Sequence, residues 1–177
     1  MLPPSRNLEL KARDRDPARS LRTCRALGAE DRGLLLQQDT YFAVPDGRLK
    51  LRRESGAPAQ LIAYERPDRT GTSESRYRIA EVADATQTEA VLASALGIEA
   101  RVSKQRRLFL LGAVRIHLDL VVDLGSFIEL EEITGRAPGE GIGVALARLR
   151  RAFGITDSDL VAESYGDLRS RSGRTKR

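Results

Sequence analysis

The sequence predicts an α+β fold dominated by antiparallel strands, and three observations support this. First, most strand-like segments follow one another with only short turns between them, whereas a parallel sheet requires a long crossover after each strand. Second, charged and apolar residues alternate along these segments with the period of two of a β-strand. Third, three other segments have helical periodicity and recognisable ends, so we expect helices beside the sheet.

The chain begins with a strand and a helix. Alternation predicts the strand over residues 6–13, and apolar periodicity predicts the helix over residues 17–27. Asp16 can cap this helix and Pro17 suits its first turn. Gly28 can adopt the left-handed conformation that commonly ends a helix.

The same reasoning covers the rest of the chain. Further strands are expected at residues 34–42, 48–54, 60–65, 75–82, 102–111, 114–121 and 127–133. The Pro-Asp-Gly sequence at 45–47 and Gly112 are turn signals between neighbouring strands. Helices are expected at residues 86–96 and 142–153, each followed by a glycine, with a short final helix near Ser158.

The net charge of +5 comes from the C-terminal end of the sequence. The chain has 30 Lys and Arg residues against 25 Asp and Glu residues. Five of the basic residues lie among the last nine: Arg169, Arg171, Arg174, Lys176 and Arg177. The remainder is balanced, so we expect one domain at residues 1–168, a basic, disordered tail at 169–177 and no nucleic-acid partner.

The protein is expected to be cytoplasmic. Cys24 is the only cysteine, so no intrachain disulfide can form and a reducing compartment is favoured. Its helical spacing from Leu21 and Leu27 predicts a core position. The first residues lack the apolar stretch of a signal peptide, and no apolar run approaches the roughly 20 residues that cross a bilayer. No membrane partner is therefore expected.

Several strands carry charged or strongly polar residues at every second position. These series are Asn7, Glu9 and Lys11; Arg48, Lys50 and Arg52; Arg115, His117 and Asp119; and Glu129 and Glu131. The simpler interpretation is a sheet with one face in water. The separation of basic from acidic strands favours another, in which a closed sheet turns this face inward. Carboxylates would then bind a divalent metal, and the cations would bind a polyphosphate.

Eight segments, in the same order, resemble those of the CYTH (triphosphate tunnel metalloenzyme) superfamily. Residues 7–11 (Asn-Leu-Glu-Leu-Lys) resemble its ExExK strand, and residues 124–131 (Leu-Gly-Ser-Phe-Ile-Glu-Leu-Glu) resemble its LGxFxEIE segment. The other similar segments are residues 39–42, 49–52, 74–76, 104–107, 117–119 and 164–165. The resemblance implies an eight-stranded antiparallel β-barrel with helices packed outside, Mg²⁺ or Mn²⁺ as cofactor, and a triphosphate substrate.

The most similar groups are class IV adenylyl cyclases, which convert ATP to cyclic AMP and pyrophosphate, and thiamine-triphosphatase-like proteins. The latter hydrolyse thiamine triphosphate or inorganic triphosphate. The resemblance favours a cyclase-like enzyme, with a triphosphate hydrolase and a non-catalytic triphosphate-binding module as the alternatives. It is also compatible with a homodimer.

The resemblance implies roles for individual residues. The expected metal ligands are Glu9, Asp119, Glu129 and Glu131. The expected phosphate ligands are Lys50, Arg52, Arg76, Lys104, Arg106 and Arg115. Lys11 and Tyr41 form the expected catalytic pair, which would deprotonate or orient the attacking oxygen. The alternatives are ordinary ion pairs for the carboxylates, solvated surface positions for the cations, and a packing role for Tyr41.

Three positions depart from the family pattern. Asn7 replaces the first Glu of the ExExK strand, so one metal-binding charge is lost. Glu65 stands where relatives often have a Lys that binds phosphate, and Asp123 stands where they often have a Gly. The first two changes bear on the substrate and the rate rather than on the fold.

Overall fold

The computed structural model describes residues 5–133 and 143–174. Within them the strands are β1 (Ser5–Arg13), β2 (Glu30–Phe42), β3 (Arg48–Glu54), β4 (Ala59–Glu65), β5 (Ser73–Val82), β6 (Ile98–Leu111), β7 (Val114–Val121) and β8 (Gly125–Ile133). The α-helices are α1 (Pro17–Ala26), α2 (Ala85–Leu96), α3 (Val144–Phe153) and α4 (Tyr165–Arg174). The expected start of the third helix, at residue 142, lies outside the described residues. None of the described helices is long and apolar enough to span a membrane.

The strands close into an antiparallel barrel in the order β1-β5-β4-β3-β2-β6-β7-β8. This confirms the expected α+β fold with an eight-stranded barrel and external helices. The register places Lys11 of β1 opposite Glu129 of β8, and Arg106 of β6 opposite Asp119 of β7. Residues that are far apart in the sequence therefore become neighbours on the inner wall.

The main apolar core lies outside the barrel, between part of its wall and two helices. Leu10 and Ala12 of β1, together with apolar residues of β6, β7 and β8, pack against Cys24 of α1 and Leu146 of α3. The buried position of Cys24 was predicted and is confirmed. Because successive strand residues point to opposite faces, the charged residues between these apolar ones point into the barrel.

Local signals explain where the first two helices begin. The Asp16 carboxylate accepts a hydrogen bond from the Arg19 backbone N–H at 2.9 Å and Pro17 follows it, so the predicted cap of α1 is present. Asp84 caps α2 in the same way. In the β7–β8 turn Asp123 has a φ of 62°, a conformation that Gly prefers but Asp tolerates. The departure at this position therefore leaves the turn intact.

The largest differences from the predicted boundaries are in β2, β6 and the C-terminal region. β2 and β6 each begin four residues earlier than expected because they pair with each other over almost their full lengths. Only a 3₁₀ turn (Asp157–Asp159) lies near Ser158, and the final helix begins at Tyr165. Helix α4 continues to Arg174, so the domain boundary expected at residue 168 falls inside it.

Helix α4 is seated on one end of the barrel, and Gly166 permits its close approach. A Cβ atom at this position would lie 2.9 Å from ring atoms of Tyr41, which is itself 4% exposed. We expect Gly166→Ala to lower the free energy of unfolding by about 1–3 kcal/mol, because either the ring or the helix must move. Urea unfolding measures the effect, with Ser94→Ala on exposed α2 as the control. An unchanged midpoint would show that α4 is not tightly seated.

Candidate functional site

Ten of the twelve side chains predicted to form the site line one cavity inside the barrel. The cavity has a volume of about 400 Å³. The ten residues are Glu9, Lys11, Tyr41, Lys50, Arg52, Lys104, Arg106, Arg115, Glu129 and Glu131. Asp119 lies behind the cavity wall and Arg76 lies on the outer surface. The barrel thus brings acidic residues of β1 and β8 to face basic residues of β3 and β6.

Asp39 of β2 holds two of the cavity's cations. Arg52 donates hydrogen bonds of 2.7 Å to both carboxylate oxygens, and Lys50 Nζ lies 3.0 Å from Oδ2. Burial would raise the pKa of Asp39, but the Arg52 and Lys50 charges hold it far below its ordinary range. The carboxylate is therefore ionised and fixes one side of each cation. The remaining donors of both cations are left for a ligand.

Asp119 of β7 does the same for a second pair of cations. Arg106 donates to both of its oxygens at 2.7 and 2.6 Å, Lys104 Nζ lies at 3.4 Å, and Tyr165 donates its hydroxyl at 3.0 Å. The side chain of Asp119 is 0% exposed. Its placement argues against the predicted role as a metal ligand, because its oxygens are already occupied and it does not line the cavity. Asp119 instead holds Arg106 and Lys104 in place.

The acidic side of the cavity contains three carboxylates. Glu9 is opposite Glu131 in the β1–β8 register, and Glu129 is opposite Lys11. Lys11 Nζ lies 3.2 Å from Glu129, which also accepts from Arg106. Burial raises the pKa of Glu9, and the nearby Glu129 charge adds to this effect. Such crowding of negative charge favours binding of a cation.

Asn7 adds a neutral oxygen to this side. The residue is 2% exposed, and its amide nitrogen donates to Glu131. This hydrogen bond fixes the orientation of the amide, so Oδ1 points elsewhere and has no partner among the described residues. A buried acceptor without a donor is costly, and a divalent metal would satisfy it. The oxygen donors Asn7, Glu9, Glu129 and Glu131 fit a hard cation such as Mg²⁺ or Mn²⁺ chemically.

In the described chain no group of three or more His, Cys, Asp or Glu side chains is arranged to hold a metal ion. The reason is visible at Glu9, whose carboxylate accepts a 2.6 Å hydrogen bond from Arg66. Lys11 and Arg106 similarly occupy Glu129. A metal bound at Glu9 would compete with Arg66 for this carboxylate.

The α4 end of the cavity is formed by Tyr165 between two lysines. Lys11 Nζ lies 4.1 Å from the ring centroid and Lys104 Nζ lies 4.8 Å from it, both within the range of cation–π contacts. The Tyr165 ring also packs edge-on against Phe127, with centroids 5.0 Å apart. Burial lowers the pKa of Lys11, and burial with the neighbouring Arg106 charge lowers the pKa of Lys104 to about 7. A larger fraction of each lysine is therefore in the neutral form than for an exposed lysine at the same pH.

Tyr41 and His117 are neutral members of the cavity wall. Burial raises the pKa of Tyr41 well above its ordinary value, so its phenol can orient a ligand but is a poor base. Burial and the Arg106 charge lower the pKa of His117. His117 Nδ1 lies 3.6 Å from Glu129 and has no hydrogen-bond partner among the described residues.

Arg76 does not reach the cavity and is a correction to the predicted phosphate ligands. Ser75 and Tyr77 point inward from β5, so Arg76 between them points outward and pairs with Glu74 at 2.7 Å. Glu65 likewise lines an outer groove, and the adjacent Arg66 enters the cavity. An inward-facing cation is therefore present next to Glu65, at Arg66.

Sequence reasoning missed Arg66, Tyr64 and Gln37, which also line the cavity. Tyr64 and Arg66 lie two and four residues after Ile62. The alternation along β4, continued by one residue, could therefore have identified them as inward-facing. The predicted strand ended at residue 65, where β4 also ends, so Arg66 follows the strand and was not included. Gln37 precedes Asp39 by two residues and shares its inward face. Its neutral side chain gave no charge signal.

Proton uptake is expected when a triphosphate binds. Burial lowers the pKa of Lys50 to about 8 and that of Lys104 to about 7. A bound phosphate raises both pKa values, so affinity should fall as pH rises from about 7 to about 9. Phosphate itself titrates lower, near about 6.

Calorimetry in buffers of different ionisation enthalpy measures the uptake. Lys104→Arg, which keeps the charge but does not titrate, should reduce it; affinity that is constant over this range would exclude contact with these lysines.

The comparisons with known proteins agree with the fold. The sequence profile of the CYTH domain family matches residues 5–165. No curated protein matches the sequence significantly. Among solved structures, the PH1012 protein from Pyrococcus horikoshii OT3 has a TM-score of 0.79 and 24% identity, covering 92% of this chain and 98% of its own.

Two further structures have names that mention activities. A Vibrio parahaemolyticus protein proposed to be an adenylate cyclase has a TM-score of 0.71 and 17% identity, covering 93% of this chain and 97% of its own. A Hippeastrum protein proposed to be an adenylyl cyclase, described as having a dominant triphosphatase activity, has a TM-score of 0.64 and 16% identity, with coverages of 94% and 96%. These likenesses support the fold. Because the family match spans almost the whole chain, the protein belongs to the CYTH domain family.

Proposed function

We propose that the protein is a divalent-metal-dependent enzyme that cleaves a phosphoanhydride bond of a triphosphate bound inside the barrel. The observation that carries this proposal is the facing arrangement of buried cations and carboxylates around a single cavity. An extended polyanion would neutralise the cations, and a metal would neutralise the carboxylates. Neither ligand alone balances both sides of the cavity.

The basic side would hold the phosphate chain. Arg52 and Arg106 are each fixed from behind by a buried carboxylate, so little side-chain entropy is lost when they contact phosphate. Lys50 and Lys104 lie beside them, and Arg115 lies nearer the other end of the cavity. Catalysis of phosphoryl transfer depends mainly on such positioning and charge neutralisation. Arg115 pairs with Glu131 at 3.5 Å, which also links the basic side to the acidic side.

The acidic side would hold Mg²⁺ or Mn²⁺ through Glu9, Glu129, Glu131 and the unpartnered Asn7 oxygen. When bound, the metal would neutralise charge on the phosphate oxygens and on the leaving group. Arg66 would be released from Glu9 and become an additional cation for the phosphates. Without metal, Arg66 keeps the Glu9 carboxylate neutralised.

Cyclisation and hydrolysis differ in which phosphorus atom is attacked. The sequence resemblance favours a class IV adenylyl cyclase-like reaction, in which the ribose 3′-oxygen attacks the α-phosphorus of ATP. Hydrolysis of ATP, thiamine triphosphate or inorganic triphosphate is favoured by the position of Lys11 and Lys104. These two basic amines lie together at the buried α4 end, where a terminal phosphate and a water molecule would lie.

One incubation series distinguishes these reactions. The protein is mixed with ATP, thiamine triphosphate or inorganic triphosphate, each with Mg²⁺ or Mn²⁺, and the products are separated by ion-exchange chromatography. Cyclic AMP with pyrophosphate identifies a cyclase, and orthophosphate identifies a hydrolase. Tight triphosphate binding without turnover would contradict the enzyme proposal and identify a binding module. In that case Asn7→Glu, which restores a metal-binding charge, tests whether the missing carboxylate is the reason.

A further inference from the structure

Arg66 reaches the acidic side of the cavity from the other side of a neighbouring strand. It follows β4 directly, and its guanidinium extends past β5 to donate to Glu9 on β1 at 2.6 Å. In the β1–β5 register Ser73 is opposite Glu9 and Ser75 is opposite Asn7. Opposite residues of an antiparallel pair share a face, so both serines lie on the inner wall. Because serine is small, the arginine has room to pass over β5.

The guanidinium of Arg66 is held in place, but one of its donors is unused. The side chain is 5% exposed, and its two terminal nitrogens donate to Glu9 and to the backbone oxygen of Ala162, just before α4. Its Nε–H group has no hydrogen-bond partner among the described residues. A buried donor without an acceptor is costly, and a phosphate oxygen would satisfy it. Arg66 thus contacts an expected metal ligand and has an open donor for the phosphate chain.

A metal and Arg66 compete for the Glu9 carboxylate. Like charges a few ångströms apart repel each other, so a divalent ion bound to Glu9 would push the guanidinium away. Without a triphosphate, Arg66 would then lose the carboxylate that it contacts, and leaving a buried charge unpaired is strongly destabilising. A triphosphate supplies a new partner, because its oxygens accept hydrogen bonds from a guanidinium as a carboxylate does.

We propose that Arg66 makes metal binding depend on the triphosphate: in the free protein it occupies Glu9, and a bound triphosphate draws it away. This inference rests on the proposed function of the cavity and adds an order of events to it. The metal affinity of the free protein is reduced by the fraction of molecules in which Glu9 is available. By linkage, the metal strengthens triphosphate binding by the same factor as the triphosphate strengthens metal binding.

The test measures each ligand alone on variants that lack one cavity cation. Arg66→Met removes the charge and keeps an unbranched side chain, and Arg66→Gln is a second variant with a polar replacement. Lys50→Met is the matched control, because it removes a cavity cation whose carboxylate partner is Asp39. Calorimetry measures Mn²⁺ binding to the free protein and, in excess EDTA, binding of inorganic triphosphate. Thermal unfolding checks that each variant folds.

We expect both Arg66 variants to bind Mn²⁺ about tenfold or more tightly than the wild type, because the competitor for Glu9 is gone. Both should bind inorganic triphosphate more weakly, because a cation for the phosphates is lost. Lys50→Met should also weaken triphosphate binding, but it should change Mn²⁺ affinity much less.

Two results would overturn the inference and leave the proposed function standing. One is an Mn²⁺ affinity that the Arg66 variants leave unchanged or lower, and the other is an equal gain in Lys50→Met, which would indicate a general effect of charge. Failure of the wild type to cleave ATP, thiamine triphosphate or inorganic triphosphate with Mn²⁺ overturns the proposed function, whatever the Mn²⁺ titrations show.

Discussion

Glu131→Gln is expected to lower kcat/KM for the best triphosphate substrate by about 100-fold or more. Even residues that only support a metal ligand typically alter affinity or activity by about 10–100-fold, and Glu131 would be a ligand itself. The amide keeps the shape of the side chain and removes its charge. Glu131 lies beside Asn7, whose oxygen has no partner among the described residues and would be a second, uncharged ligand, so Asn7 cannot replace the lost charge.

The measurement is a steady-state assay over a wide range of Mg²⁺ and Mn²⁺ concentrations. The variant should need more metal for half-maximal activity, and calorimetry should show weaker metal binding. Glu65→Gln on the outer face is the matched control and should behave like the wild type. A Glu131→Gln protein with unchanged metal dependence would rule out the proposed acidic side as the metal site.

Asp119→Asn is expected to reduce the free energy of unfolding by about 3–5 kcal/mol, because a buried ion pair loses one charge while its partner stays buried. Arg106 would retain Glu129 as an anion, but Lys104 would lose its only described carboxylate contact within 4.0 Å. The Tyr165 hydroxyl could still donate to the amide oxygen. Charge is thus removed with little change in shape.

Urea unfolding at neutral pH measures this change, with Asp157→Asn as the control. Asp157 also pairs with an arginine, Arg150, but its side chain is 93% exposed, so no measurable change is expected. Burial raises the pKa of Asp119, but Arg106 and Lys104 lower it more, so its folded-state pKa is below the unfolded one. Its stabilisation is therefore present above about pH 4 and is lost as the pH falls further. A loss of less than about 1 kcal/mol would show that the cations need no anion behind them.

The fold could be predicted from the sequence because the alternation is strong. Along β8 the charged residues Glu129 and Glu131 alternate with the apolar residues Ile128 and Leu130. Only one orientation of the strand puts both apolar side chains in the core. The core on the other side confirms it. Eight strands with this pattern, joined mostly by short turns, can form only a limited number of sheets. The family resemblance favoured the closed barrel among them.

The site predictions that differ from the structure have two causes. One is the face of the strand on which a residue lies, and the other is the residue with which it pairs on a neighbouring strand. Arg76 was assigned from a motif, although alternation from Ser75 would have placed it outside. Asp119 was correctly predicted to face the interior of the barrel. What it does there depends on its contacts with Lys104 and Arg106, which follow from the β6–β7 register, and this register cannot be read from the sequence of one strand. Arg66 was missed because it lies one residue beyond β4, which ends at Glu65 as predicted. Inward direction can thus be read locally, whereas the partner of a buried charge is a property of the closed barrel.

The apolar core and the helices outside the barrel cover only part of its wall. One half of the barrel is therefore better shielded from water than the other. Helices α1, α3 and α4 contact chiefly β6, β7 and β8, and α2 contacts β2 and β3, whereas β4 and β5 carry no comparable cover from the described helices. The outer faces of β4 and β5 therefore meet water. Their amides should exchange with deuterium fastest in the free protein and be slowed most by a triphosphate. The half of the barrel formed by β4 and β5 would then move to close around the ligand, while the half packed against helices stays rigid.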